Sequence, residues 1–146
     1  MLTKSMDVLQ FAKGVYIPEV IKQNTLKEIE KINNMPFNIS KHSMIRAKER
    51  LTPNLWLEVL EAIQFYQIEY KEVLEIKTDN TGKPLEILTR FGLNAIYNLT
   101  LVITCDNKTI KTLWINKKTD MKKTLDIRRY ITPLHWQQIK DNIILY

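Results

Sequence analysis

Leu99-Thr100-Leu101-Val102-Ile103-Thr104-Cys105-Asp106-Asn107-Lys108-Thr109-Ile110-Lys111-Thr112-Leu113-Trp114-Ile115-Asn116 is the stretch that decides the fold. Residues 99–105 are almost entirely apolar or β-branched, the pattern of a strand central in its sheet. Residues 108–116 alternate instead. The alternation sets Thr109, Lys111, Leu113 and Ile115 on one face and Ile110, Thr112, Trp114 and Asn116 on the other. Asp106-Asn107 between them suits a short hairpin connection, because both residue types tolerate positive φ.

Working backwards, residues 85–93 read as another strand, and residues 69–77 as a strand with mixed faces. Asp79-Asn80-Thr81-Gly82-Lys83-Pro84 is a turn cluster between these two. Short connections between successive strands make the sheet four-stranded and largely antiparallel.

Helices flank this sheet. Thr132-Pro133 pairs a capping hydroxyl with a proline whose missing N–H costs nothing in a first turn. A helix from there to about residue 145 turns Leu134, Ile139 and Ile143 inward, with His135 structural in its first turn. Thr52-Pro53 carries the same signal for a helix to about Tyr66, whose apolar face is Leu55, Trp56, Val59, Leu60 and Ile63. Ser40 is the expected cap of a helix ending near Leu51. Val20, Ile21, Leu26, Ile29 and Ile32 recur at helical spacing after Pro18, until Asn33-Asn34-Met35-Pro36 breaks the run. The reading is α+β: N-terminal helices packed on a four-stranded, largely antiparallel sheet, with a C-terminal helix. It gives a single domain over residues 1–146, of which 1–36 are an N-terminal helical extension.

Composition narrows the function classes. A hydrophobic share of 45% and a charged share of 26% belong to a folded chain rather than a disordered one. No segment approaches the ~20 apolar residues of a membrane span, and the N-terminus lacks a signal peptide's apolar stretch, so a cytoplasmic protein is expected. The single cysteine, Cys105, excludes an internal disulfide and reads as a small buried hydrophobe. One cysteine and two distant histidines make no zinc site, and no glycine-rich phosphate loop is present, so no cofactor is expected. The net charge of +6 favours polyanions. Lys108, Lys111, Lys117, Lys118, Lys122, Lys123, Arg128 and Arg129 concentrate it in the C-terminal third as a basic surface, diluted by Asp106, Asp120 and Asp126.

The chemistry-bearing pattern is His42-x3-Arg46-x3-Arg50. On a helix these three point the same way, since four residues is just over one turn. A proton-transferring imidazole beside two permanent cations suits work on a phosphodiester.

A helix carrying His-x3-Arg-x3-Arg, a second helix and then a small antiparallel sheet resembles the BECR superfamily of ribonuclease toxins. That group holds barnase, EndoU-type, colicin-type and RelE-like nucleases, and the likeness is to its short bacterial and phage members. Their late strand ends in Ile-x-Thr-hydrophobic, here Ile110-Lys111-Thr112-Leu113-Trp114, after the hairpin at 101–108. The likeness spans about residues 39–116, leaving the N-terminal region and 120–130 outside it.

The resemblance implies a metal-independent, toxin-like ribonuclease with His42, Arg46, Arg50 and Thr112 as catalytic residues. It favours Thr112 over Lys111, because strict alternation puts these two on opposite faces. Trp114 would stack on a base, and Lys117, Lys118, Lys122, Lys123, Arg128 and Arg129 would bind the nucleic acid. The implied partners are RNA, tRNA included, and an antitoxin, immunity or host protein. Plainer roles fit the same residues. His42 can be a polar first-turn residue, Arg46 can pair with Glu49, Thr112 can be a strand former, and Trp114 can be core. Two further functions stay open: nucleic-acid binding without cleavage, and a phage or mobile-element accessory protein that binds a host protein.

Overall fold

A computed structural model describes residues 8–14, 16–120 and 127–146. The elements run β1 (Val8–Ala12), α1 (Glu19–Asn33), β2 (Asn38–Ile39), α2 (Lys41–Arg50), α3 (Pro53–Phe65), β3 (Val73–Asp79), β4 (Pro84–Gly92), β5 (Tyr97–Thr104), β6 (Thr109–Lys117) and α4 (Pro133–Ile139). The α+β class and the C-terminal helix agree with the sequence. No helix among the described residues is long and apolar enough to cross a membrane.

The sheet has six strands rather than four, in the order β1-β3-β4-β5-β6-β2. β3 to β6 are the expected antiparallel meander. Of the two extra strands, β1 comes from the stretch read as a helical extension and β2 from the short link between its break at 33–36 and the Ser40 cap. β1 pairs antiparallel with β3, with Leu9 opposite Thr78 and Phe11 opposite Ile76. β2 is two residues long and runs parallel to the start of β6. Neither is visible as a period, because each is an edge strand defined by a partner far along the chain. At 69–77, a single 3-10 turn at Tyr70–Glu72 precedes the strand. The last helix is shorter than expected: α4 stops at Ile139, and Leu134 is 71% exposed rather than inward.

Ile21, Ile29 and Ile32 of α1 and Val59 and Ile63 of α3 pack on Ile76, Ile87, Leu99, Leu101 and Ile103 of the sheet. This is the helix face. Residues of opposite parity, such as Glu86, Leu88, Arg90 and Val102, lie on the far face. The caps form as the sequence indicates: Ser40 accepts from Ser43 N, Thr52 from Leu55 N and Thr132 from His135 N. Asn24, buried in α1, donates to the Gly82 and Ile144 carbonyls and accepts from Tyr146 N, which pins the chain end to the β3–β4 turn.

The β5–β6 connection differs from expectation in one informative way. Lys108, not the Asp106-Asn107 pair, takes the positive φ, +51°. Its side chain turns inward and is 2% exposed. The ammonium donates to the Met35 carbonyl at 2.8 Å and lies 4.0 Å from the Phe37 ring centroid. Burial holds its pKa below the usual lysine range. Lys108 is therefore not part of the basic surface. It is the clamp that fastens residues 35–37, and with them β2, to the hairpin.

Candidate functional site

α2 is delivered to the sheet by the stitching that starts at this clamp. Asn38 N donates to the Lys108 carbonyl at 3.0 Å, and Ser40 N to the Ile110 carbonyl at 3.1 Å. Ser43, buried on α2, then donates its hydroxyl to the Lys111 carbonyl. The register of β6 slips at that point. Val102 pairs with Thr112 but Ile103 pairs with Ile110, so Lys111 is an extra residue in a β-bulge.

The bulge overturns the strict alternation. Ile110, Leu113 and Ile115 share the helix face, whereas Lys111, Thr112, Trp114 and Asn116 share the far face. The Lys111 ammonium accordingly reaches Glu86 across the sheet at 3.0 Å. Lys111 and Thr112 do not exclude one another from a single site.

Ser43 and Ala47 press α2 against β6 and are 4% and 5% exposed. His42, Arg46 and Arg50 flank that contact on the adjoining stripe and are exposed. All three line one cavity of about 530 Å³, together with Lys111, Thr112 and Trp114. Tyr97, Leu113 and Ile115 also line it, from the helix face. Both faces contribute because β6, past its short pairing with β2, has no strand on its outer side among the described residues. The cavity wraps that edge.

Among the described residues no carboxylate pairs with Arg46 or Arg50, and nothing hydrogen-bonds the His42 side chain. The Arg46–Glu49 pair, the plainer alternative for Arg46, is not formed. Chemically the cavity offers one imidazole, two guanidinium groups, hydroxyls and an indole, which can receive a phosphate and the base beside it.

Trp114 is half-buried and lines both this cavity and a second groove on the far face, so it is not a core residue. Arg129 lines only the second groove. Lys117, Lys118 and Arg128 are exposed but line neither cavity. Lys122 and Lys123 lie outside the described residues. Cys105 is 2% exposed, and burial, with the nearby Glu28 charge adding to it, pushes its thiol up to about 12, far from a nucleophile's range. No group of three His, Cys, Asp or Glu that could hold a metal ion gathers among the described residues.

The sequence did not single out Tyr97 or Arg90. Tyr97 carries no motif; its place follows from its pairing with Lys117. Arg90 sits in a run legible only as a strand. Compared with protein-family profiles, with curated proteins and with solved structures, the chain matches none.

Proposed function

We propose that this protein is a metal-independent, toxin-like ribonuclease working at the cavity between α2 and β6. The observation that carries the reading is the convergence of His42, Arg46, Arg50, Thr112 and Trp114 on that one cavity. His42 takes the proton from a ribose 2′-hydroxyl, since an imidazole exchanges protons readily near neutral pH. The 2′-oxygen attacks phosphorus and the bond to the 5′-oxygen breaks. The imidazolium then returns its proton to the departing 5′-oxygen. A 2′,3′-cyclic phosphate and a 5′-hydroxyl result. Arg46 and Arg50 hold the non-bridging oxygens as charge builds on them, and Thr112 donates a hydrogen bond to the same phosphate. Trp114 stacks on a neighbouring base.

The test is incubation of the purified protein with total tRNA in EDTA. Fragments ending in cyclic phosphate are expected, and none from His42→Ala. Intact RNA at high protein concentration overturns the reading. A second reading, nucleic-acid binding without cleavage, is favoured by one observation: among the described residues no carboxylate lines the cavity to share the proton transfers with His42. RNA retained at low salt and left whole would select it.

A further inference from the structure

The second groove, of about 610 Å³, occupies the far face of the sheet. Leu74, Leu88 and Val102 give it apolar surface, and Lys13, Arg90 and Arg129 give it positive charge. Two carboxylates, Glu75 and Asp120, also line it, and Glu75 accepts a hydrogen bond from the Tyr130 hydroxyl. Trp114 lines this groove as well as the α2 cavity, so the two surfaces meet at its indole.

Arg90 is held ready for a ligand. It is partly buried, and its Nε donates to the Thr100 hydroxyl at 3.0 Å. Thr100 in turn lies 3.4 Å from Asn116 Oδ1. Among the described residues no carboxylate pairs with Arg90. A guanidinium fixed through Nε keeps its terminal N–H groups for an anion.

We propose that the two cavities form one track for single-stranded RNA, on which a strand leaving the cleavage centre stacks a base on Trp114 and sets a following phosphate against Arg90. The inference rests on the RNA reading of the α2 cavity and adds a substrate class to it. Charge selects a polyanion. Arg46 and Arg50 in the first cavity and Lys13, Arg90 and Arg129 in the second make five cations, beside a Lys111 already paired with Glu86, against the two carboxylates. Shape selects a single strand. An indole and three aliphatic side chains take the faces of unpaired bases, which a duplex keeps stacked inside. The polar Asn116 beside Arg90 in the groove suits a backbone rather than a second apolar partner, while the fully buried Thr100 only holds the guanidinium in place.

The probe is a fluorescent 2′-O-methyl RNA hexanucleotide, which cannot be cut, titrated into the full chain. It is expected to bind at least about tenfold more tightly than the dinucleotide and than a duplex of the same sequence. Arg90→Gln is expected to weaken the hexanucleotide about tenfold and to lower the salt slope by about 0.7, the value of one phosphate contact on a single strand. Arg129→Gln repeats the measurement should Arg90→Gln melt early. Equal affinity for dinucleotide and hexanucleotide, or an unchanged salt slope in both variants, overturns the track. The outcomes separate the two ideas. RNA cut by a protein indifferent to strand length removes the track and keeps the ribonuclease, whereas a long strand gripped through Arg90 and never cut does the reverse.

Discussion

β5 and β6 belong to one hairpin and pair from Tyr97 opposite Lys117 to Ile103 opposite Ile110, with the bulge at Lys111. Their surroundings are opposite. Leu99, Leu101 and Ile103 on β5 have no exposed surface, whereas Lys111 and Thr112 on β6 are exposed and Trp114 opens on two cavities. The closed strand has a neighbour on each side and helices over one face. The open strand has β2 for two residues on its outer side and then α2, which meets it through Ser43 and Ala47. Where core packing fixes every side chain, little is left to bind a ligand. Where packing stops one strand short, polar groups can be aimed at a substrate while the core behind holds them still.

This contrast breaks most clearly if each strand's neighbourhood is damaged in turn. His42→Ala, on the open side, is expected to lower RNA cleavage by about 10²–10⁴, the usual worth of a positioned proton-transfer group. Its melting temperature should stay within a degree or two of the parent's, because an exposed side chain with no partner contributes little to stability. Leu101→Ala, on the closed side, should do the reverse, costing about 2–5 kcal/mol in a denaturant titration for the cavity left in the core. Cleavage per folded molecule should remain. A variant at either position that loses both properties together would show that the two regions are not separable.

A smaller effect sharpens the boundary between them. Ser43→Ala removes the hydroxyl that α2 gives to the bulged Lys111 carbonyl. The loss in stability should be about 1 kcal/mol, that of one hydrogen bond. The loss in cleavage should be larger than stability explains, because α2 carries His42, Arg46 and Arg50 and would shift against β6. Equal loss in both measurements would mean that the bulge is only structural.

How much of this was legible in the chain follows the same division. The helix starts at Ser40, Thr52-Pro53 and Thr132-Pro133 could be read because a cap is local, a side chain bonding a backbone N–H three residues on. The meander could be read from period and turn residues. The stripe His42, Arg46, Arg50 could be read because helical geometry alone sets it. The bulge could not, since its stabilising hydrogen bond joins residues 68 apart. Its consequence lies in the site itself, where strict alternation separates Lys111 from Thr112 and the bulge puts them on one face. β1 and β2 were lost for the same reason, their pairing being non-local. For Lys108, residue type suggests a solvated charge, and only the fold supplies the Met35 carbonyl and the Phe37 ring that receive it.

The smallest expected effect concerns pH, and it falls on the closed side, at the β3–β4 turn away from β6. Asp79 accepts from Thr81 N at 2.8 Å, the Thr81 hydroxyl at 2.6 Å and Lys83 N at 3.1 Å. Burial by itself raises its pKa, but those donors and the Lys83 charge outweigh burial and hold the carboxyl below its ordinary value of 3.8. A carboxyl with a depressed folded pKa binds fewer protons folded than unfolded just below pH 3.8. Its contribution is therefore complete above that value and fades as pH falls through the lower folded value. Asp79→Asn keeps the shape of the turn but loses the charge. At neutral pH it should cost about 1 kcal/mol or less, since the site is partly exposed. The gap between parent and variant in urea titrations should close on acidification below pH 4 or so. RNA binding at the open side, run in parallel at neutral pH, should not change, because the turn and the α2 cavity share no residue. A gap that persists undiminished in acid would mean that the turn's geometry, not the carboxylate's charge, stabilises the closed side.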